Sequence, residues 1–164
     1  MSTQPSAVPA GRQMLRHTLA TLAYRANKAL TSVPPEFASF KAGERTRTPA
    51  QILGHLGDLM DWGISMAIGQ PAWKEVPVTD WQAGIDRFFA ATQKFDDVLA
   101  SDAPLACEAE GLFQGPIADA LTHVGQINLL RGIAACPVKA ENYFKAEIVT
   151  GRVGTQQTPP RREF

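Results

Sequence analysis

Apolar residues recur every three or four positions in four stretches of the 164-residue chain, a spacing that predicts four amphipathic helices. The first runs from about Gly11 to Leu30 on a stripe of Leu15, Leu19, Leu22, Ala26 and Leu30, and the prolines of VPPEF break it. The second opens at Thr48-Pro49, a capping residue followed by proline in the first turn, and continues to about Ile68 along Ile52, Leu56, Leu59, Gly63 and Met66. Thr79 or Asp80 caps the third, where Trp81, Ile85, Phe88, Thr92, Phe95 and Leu99 recur until SDAP stops it. The fourth starts at Gly115-Pro116 and ends near Ala135, before Cys136-Pro137. It is apolar almost all the way round, which predicts a central place.

The pattern contains no internal repeat and no alternating strand. The stretch ENYFKAEIVTGRVG reads as a short helix or ordered arm whose Tyr143, Phe144 and Ile148 pack on the helices. Both ends read as frayed tails, so the expected organisation is a disordered tail over 1–10, one domain over 11–153 and a flexible tail over 154–164. The connections between the first two and the last two helices are long enough to cross a bundle. The expected fold is therefore all-α, a four-helix bundle.

Charge removes several partners. Sixteen Lys+Arg against sixteen Asp+Glu leave a formal net charge of zero, so no overall basic field exists to hold a nucleic acid or an anionic membrane. No apolar run reaches the roughly 18 residues of a membrane span, and MSTQPSAVPAG lacks the pattern of a signal peptide. Cys107 and Cys136 form no CxxC pair and are too few for a disulfide framework, which fits a reduced, cytoplasmic chain. No phosphate loop, GxSxG elbow or zinc knuckle is present.

Only three histidines are available for chemistry. At about 100° per residue His17 falls opposite its leucine stripe and reads as a surface residue. His55 shares its side of the second helix with Leu59, Trp62 and Met66, at the edge of the core, where an imidazole requires a hydrogen-bond partner, a charge or a metal. Asp119 and His123 are four apart and hence neighbours, on a line that continues through Ile127, Leu130 and Ala134. Two readings remain open: a buried Asp–His hydrogen bond that serves structure, or a metal site completed by His55. Two imidazoles, one carboxylate and room for water recur in hydrolytic zinc sites and in the facial triad of iron enzymes. Asp58 and Asp61 read as a solvated face, and Trp62, Trp73 and Trp81 as core or lid residues. Arg131 reads as the partner of a carboxylate or of an anionic ligand.

TPAQILGHLGDLMDW and THVGQINLLR resemble the second-helix and fourth-helix motifs of the DinB-like (DinB/YfiT) superfamily of bacterial four-helix proteins. In the latter, His123 and the residues after it look like that family's histidine followed by arginine, glycine and glutamine. The resemblance covers roughly residues 11 to 153, and ENYFKAEIVTGRVG looks like the end of one bacterial subgroup. It implies a DinB/YfiT-type bundle, a homodimer, and a divalent metal held by one histidine of the second helix and two, four apart, on the last. Carried onto this chain, the ligands are His55, His123 and, where the family has another histidine, Asp119. Zinc or nickel comes first, with manganese or iron as alternatives, and the carboxylate shifts preference toward harder ions. The resemblance further implies a low-molecular-weight thiol cofactor such as mycothiol, bacillithiol or glutathione, and thiol transfer or hydrolysis on a small electrophile. The alternative is a non-catalytic bundle that binds a ligand or assembles as a dimer around a structural Asp–His pair.

Overall fold

Three of the four long helices begin at a side-chain cap or directly after a proline. α1 (Ala10–Leu30) follows Pro9, and α2 (Pro49–Ala67) starts from a capping box in which Thr48 and Gln51 each accept the other's backbone N–H. Asp80 accepts the N–H of Ala83 to cap α3 (Trp81–Ala100), and the last long helix is α4 (Ala118–Ile133). The computed structural model describes residues 9–164, so the expected N-terminal tail lies almost wholly outside the described residues. Among the described residues no strand forms; Glu141 and Glu163 make an isolated bridge. The class is all-α.

The expected stripes are the ones that meet. Leu19, Leu22 and Leu30 of α1, Ile52, Leu56 and Leu59 of α2, and Phe88, Phe95 and Leu99 of α3 are all buried, and Leu53 and Met60, outside the expected stripe of α2, are buried with them. α2 and α3 approach closely at Gly63, where a Cβ would sit 2.5 Å from the Phe95 ring. α1 packs on α3 and α4, and α2 packs on the same two helices. α1 therefore lies diagonal to α2, and both long connections cross the bundle, as their lengths predict.

α4 departs from expectation in two ways. It continues directly from a helical turn, Ala109–Leu112, and a π turn, Phe113–Ile117, so Pro116 lies inside a helical run instead of starting it. Proline has no N–H for a regular helical bond, and the wider turn absorbs that defect. Nor does its apolar circumference make α4 central: Leu129 and Ile133 are 65% and 55% exposed.

Among the described residues Arg131 pairs with no carboxylate; backbone carbonyls take its place. Its guanidinium donates to the carbonyls of Ala29, at 3.0 Å, and Thr31, at 2.8 Å, and its Nε donates to Cys136 O. It thus satisfies the orphan carbonyls where α1 ends, and Arg12 does the same beyond α3 at Ser101 and Ala103.

The closing stretch is an ordered arm with one 3-10 turn, Tyr143–Lys145. Tyr143 stacks edge-on against Tyr24, and Val153 is buried, but Phe144 is 92% exposed and does not join the core. Buried Glu141 accepts from Tyr24 Oη at 2.6 Å and Lys28 Nζ at 3.0 Å. The last ten residues, read from sequence as a frayed tail, have defined partners. Asn142 N–H donates to Arg162 O, Phe164 N–H to Ala140 O, and Lys28 also reaches Glu163.

Candidate metal centre

α2 and α4 pack side by side, and the side chains of His55, Asp119 and His123 converge between them. Asp119 Oδ2 lies 3.3 Å from His55 Nε2, and Asp119 Oδ1 lies 3.5 Å from His123 Nε2. The two imidazoles stand perpendicular, at 89°, with centroids 4.7 Å apart. One donor atom from each residue falls within 4.8 Å of the other two.

These separations are long for hydrogen bonds, which centre at roughly 2.9 Å. Two donors about 2.1 Å from a tetrahedral centre stand about 3.4 Å apart, so these spacings suit ligands of a common ion as well as a long Asp119–His55 hydrogen bond. Charge and softness agree, since two neutral imidazoles and one carboxylate suit a divalent first-row ion. The residues fit a metal, and the group can hold one.

The local sequence explains the aim of each ligand. His123 Nδ1–H donates to Gln126 Oε1 at 2.7 Å, which leaves the lone pair on Nε2, the atom facing Asp119. Gln126 is three residues along the same helix, a spacing that brings side chains together, so this partner was visible in the pattern although the motif alone did not assign it. The edge of Trp73 meets the His55 ring at a centroid distance of 5.5 Å, and Trp62 stands behind it at 6.0 Å. Trp73 comes from the connection between α2 and α3, where helical periodicity says nothing.

That connection is tied down by a residue expected to be solvated. Asp58 is only 5% exposed; it accepts the Val76 N–H at 3.1 Å and pairs with Arg87 at 2.8 Å. Arg87 also pairs with the more exposed Asp61, at 2.7 Å, and its guanidinium lies where a side chain at Gly57 would clash. Burial opposes the charge on Arg87, but the hydrogen bonds to Asp61 and Asp58 outweigh it and raise its pKa. The reason Asp58 differs from expectation is an α3 arginine, which the α2 pattern cannot reveal.

The three ligand candidates line an open cleft of about 620 Å³. Asp119 points into this cleft, with its side chain 46% exposed, and does not join the apolar interior that its helical line suggests. His17 takes no part; it is exposed, with Nδ1 3.1 Å from Thr150 Oγ1. Neither cysteine lines the cleft, and burial with help from Glu108 pushes the Cys107 thiol above its ordinary pKa.

Comparison with known proteins gives no match to a family model, a curated protein or a solved structure. Among the described residues, no helix is long and apolar enough to cross a membrane.

Proposed function

We propose that the chain is a DinB-like metalloenzyme, cytoplasmic and homodimeric, that carries out metal-assisted thiol transfer or hydrolysis on a small electrophile. The observation that carries this reading is the placement of three donor atoms of the right chemistry, within 4.8 Å of one another, at the wall of an accessible cleft. A divalent ion, when bound, supplies a Lewis acid and lowers the pKa of an incoming thiol or water. Gln126 holds His123 in the tautomer that presents Nε2. Asp119 contributes one negative charge, and Trp73 packs edge-on with the His55 ring. The exposure of Asp119 supports this reading over a buried structural pair.

Metal analysis of protein purified without a histidine tag tests it. About one ion per chain is expected, zinc or nickel before manganese or iron; substoichiometric metal that none of these ions restores would overturn the proposal. Conjugation of glutathione to 1-chloro-2,4-dinitrobenzene, followed by absorbance with and without a chelator, tests the thiol step. Sedimentation velocity tests the dimer.

A further inference from the structure

The cleft beside the candidate ligands is larger and more apolar than an ion requires. Its volume of about 620 Å³ lies within the roughly 300–1,000 Å³ typical of small-molecule sites. Ile52 of α2 and Leu129, Leu130 and Ile133 of α4 form its apolar wall. Among the described residues, Leu129 and Ile133 are two of the more exposed large apolar side chains. At 1.5 Å per residue, the α4 part of this wall extends about 9–15 Å from His123, the length of an elongated molecule.

Among the described residues Arg47 is the one arginine or lysine lining the cleft. Among the described residues it forms none of the ion pairs that occupy Arg16, Arg87 and Arg161. Residues 1–8, MSTQPSAV, contain no acid that would neutralise it. Its loop is basic as well, with Lys41, Arg45 and Arg47 against Glu44. A guanidinium matches the planar, bidentate geometry of a carboxylate better than a point charge does. The site thus offers a cation, a long hydrocarbon wall and a reactive corner.

We propose that this cleft binds a small amphipathic carboxylate, its acid group on Arg47 and its hydrocarbon body along Ile52, Leu129 and Ile133. Which part of such a molecule reacts rests on the metal-centre reading; its capture by Arg47 and the apolar wall does not. Octanoate, octanol and octylamine are the probes, titrated by calorimetry into metal-free and zinc-loaded protein whose metal content is measured in parallel. Arg47→Gln and Ile133→Ser change exposed side chains, and a thermal melt confirms that each variant folds.

Octanoate is expected to bind at least about tenfold tighter than octanol or octylamine. Arg47→Gln should abolish that preference and leave octanol unchanged, while Ile133→Ser should weaken octanoate and octanol alike, about fivefold. Equal binding of the three probes, or a preference that survives Arg47→Gln, would overturn the proposal. A preference that survives Arg47→Gln but disappears in His123→Ala would place the acid group on the ion, which also overturns it. Protein that takes up zinc but shows no octanoate preference defeats this inference alone. Protein that shows the preference but takes up no metal supports it and defeats the metal-centre reading alone.

Discussion

Two clusters of ionisable side chains are built from similar parts and differ in how completely they are satisfied. On α1, Tyr24 and Lys28 converge on the fully buried carboxylate of Glu141 at 2.6 and 3.0 Å, and the arm closes over them. Between α2 and α4, Asp119 meets two imidazoles at 3.3 and 3.5 Å and keeps nearly half of its side chain exposed. The first cluster has short bonds and no access, as expected of a group that holds structure together. The second has long contacts, an open cleft and one imidazole hydrogen-bonded to Gln126, the arrangement on which the proposed metal site rests.

Removing a member from each cluster separates the two roles most strongly. His123→Ala or His55→Ala should lower zinc affinity about a thousandfold, beyond the 10–100-fold typical of outer partners, while metal-free stability changes little. Competition with a chromophoric chelator measures the affinity. Equal affinity in the wild type and both variants would make the two clusters alike. Glu141→Ala should act in the opposite sense: zinc binding persists, but stability falls by about 2 kcal/mol because buried Tyr24 loses its acceptor and half-buried Lys28 keeps only Glu163. Urea denaturation measures that loss, and a change below about 1 kcal/mol would show that the arm is not locked by this carboxylate.

The same contrast explains what could be read from the chain. Periodicity located all four helices because their stripes of leucine and phenylalanine are the buried faces, and caps such as Thr48 and Asp80 are local features. The i, i+4 spacing of Asp119 and His123 survives as a spatial pair for the same reason. Whatever depends on a distant element escaped. Asp58 is buried because Arg87 and the Val76 amide come to it, and Arg131 caps α1 from one hundred residues away. The final ten residues lack apolar periodicity, yet Lys28 and the backbone of the arm give them partners. The depth of α4 was misjudged because composition around a helix does not say how many neighbours it has, and the cleft leaves Leu129 and Ile133 bare.

A smaller effect is expected at Gln126. Gln126→Leu keeps most of the side-chain volume but removes the acceptor for His123 Nδ1–H, so the tautomer with its lone pair on Nε2 is no longer selected. Zinc affinity should fall about tenfold. Gln126→Glu should restore it, since a carboxylate accepts the same hydrogen bond. If Gln126→Leu binds zinc as the wild type does, this partner does not orient the ligand.

The smallest expected effect lies in alkaline solution and belongs to the arm. Burial, reinforced by the hydrogen bond to Glu141, pushes the Tyr24 phenol well above its ordinary pKa. Burial alone would lower Lys28, but its hydrogen bonds to Glu163 and Glu141 outweigh that and raise it. In the unfolded chain both groups titrate near pH 10. Above that point the unfolded chain has lost these protons while the folded protein still holds them, so stability falls as pH rises from about 10. At pH 8 and below, both groups are protonated in both states and contribute no slope. Urea midpoints should therefore decline more steeply between pH 9 and 11 in the wild type than in the Tyr24→Phe, Lys28→Met double variant. Parallel declines would mean that the alkaline loss arises elsewhere and that the arm is not a charge-dependent lock.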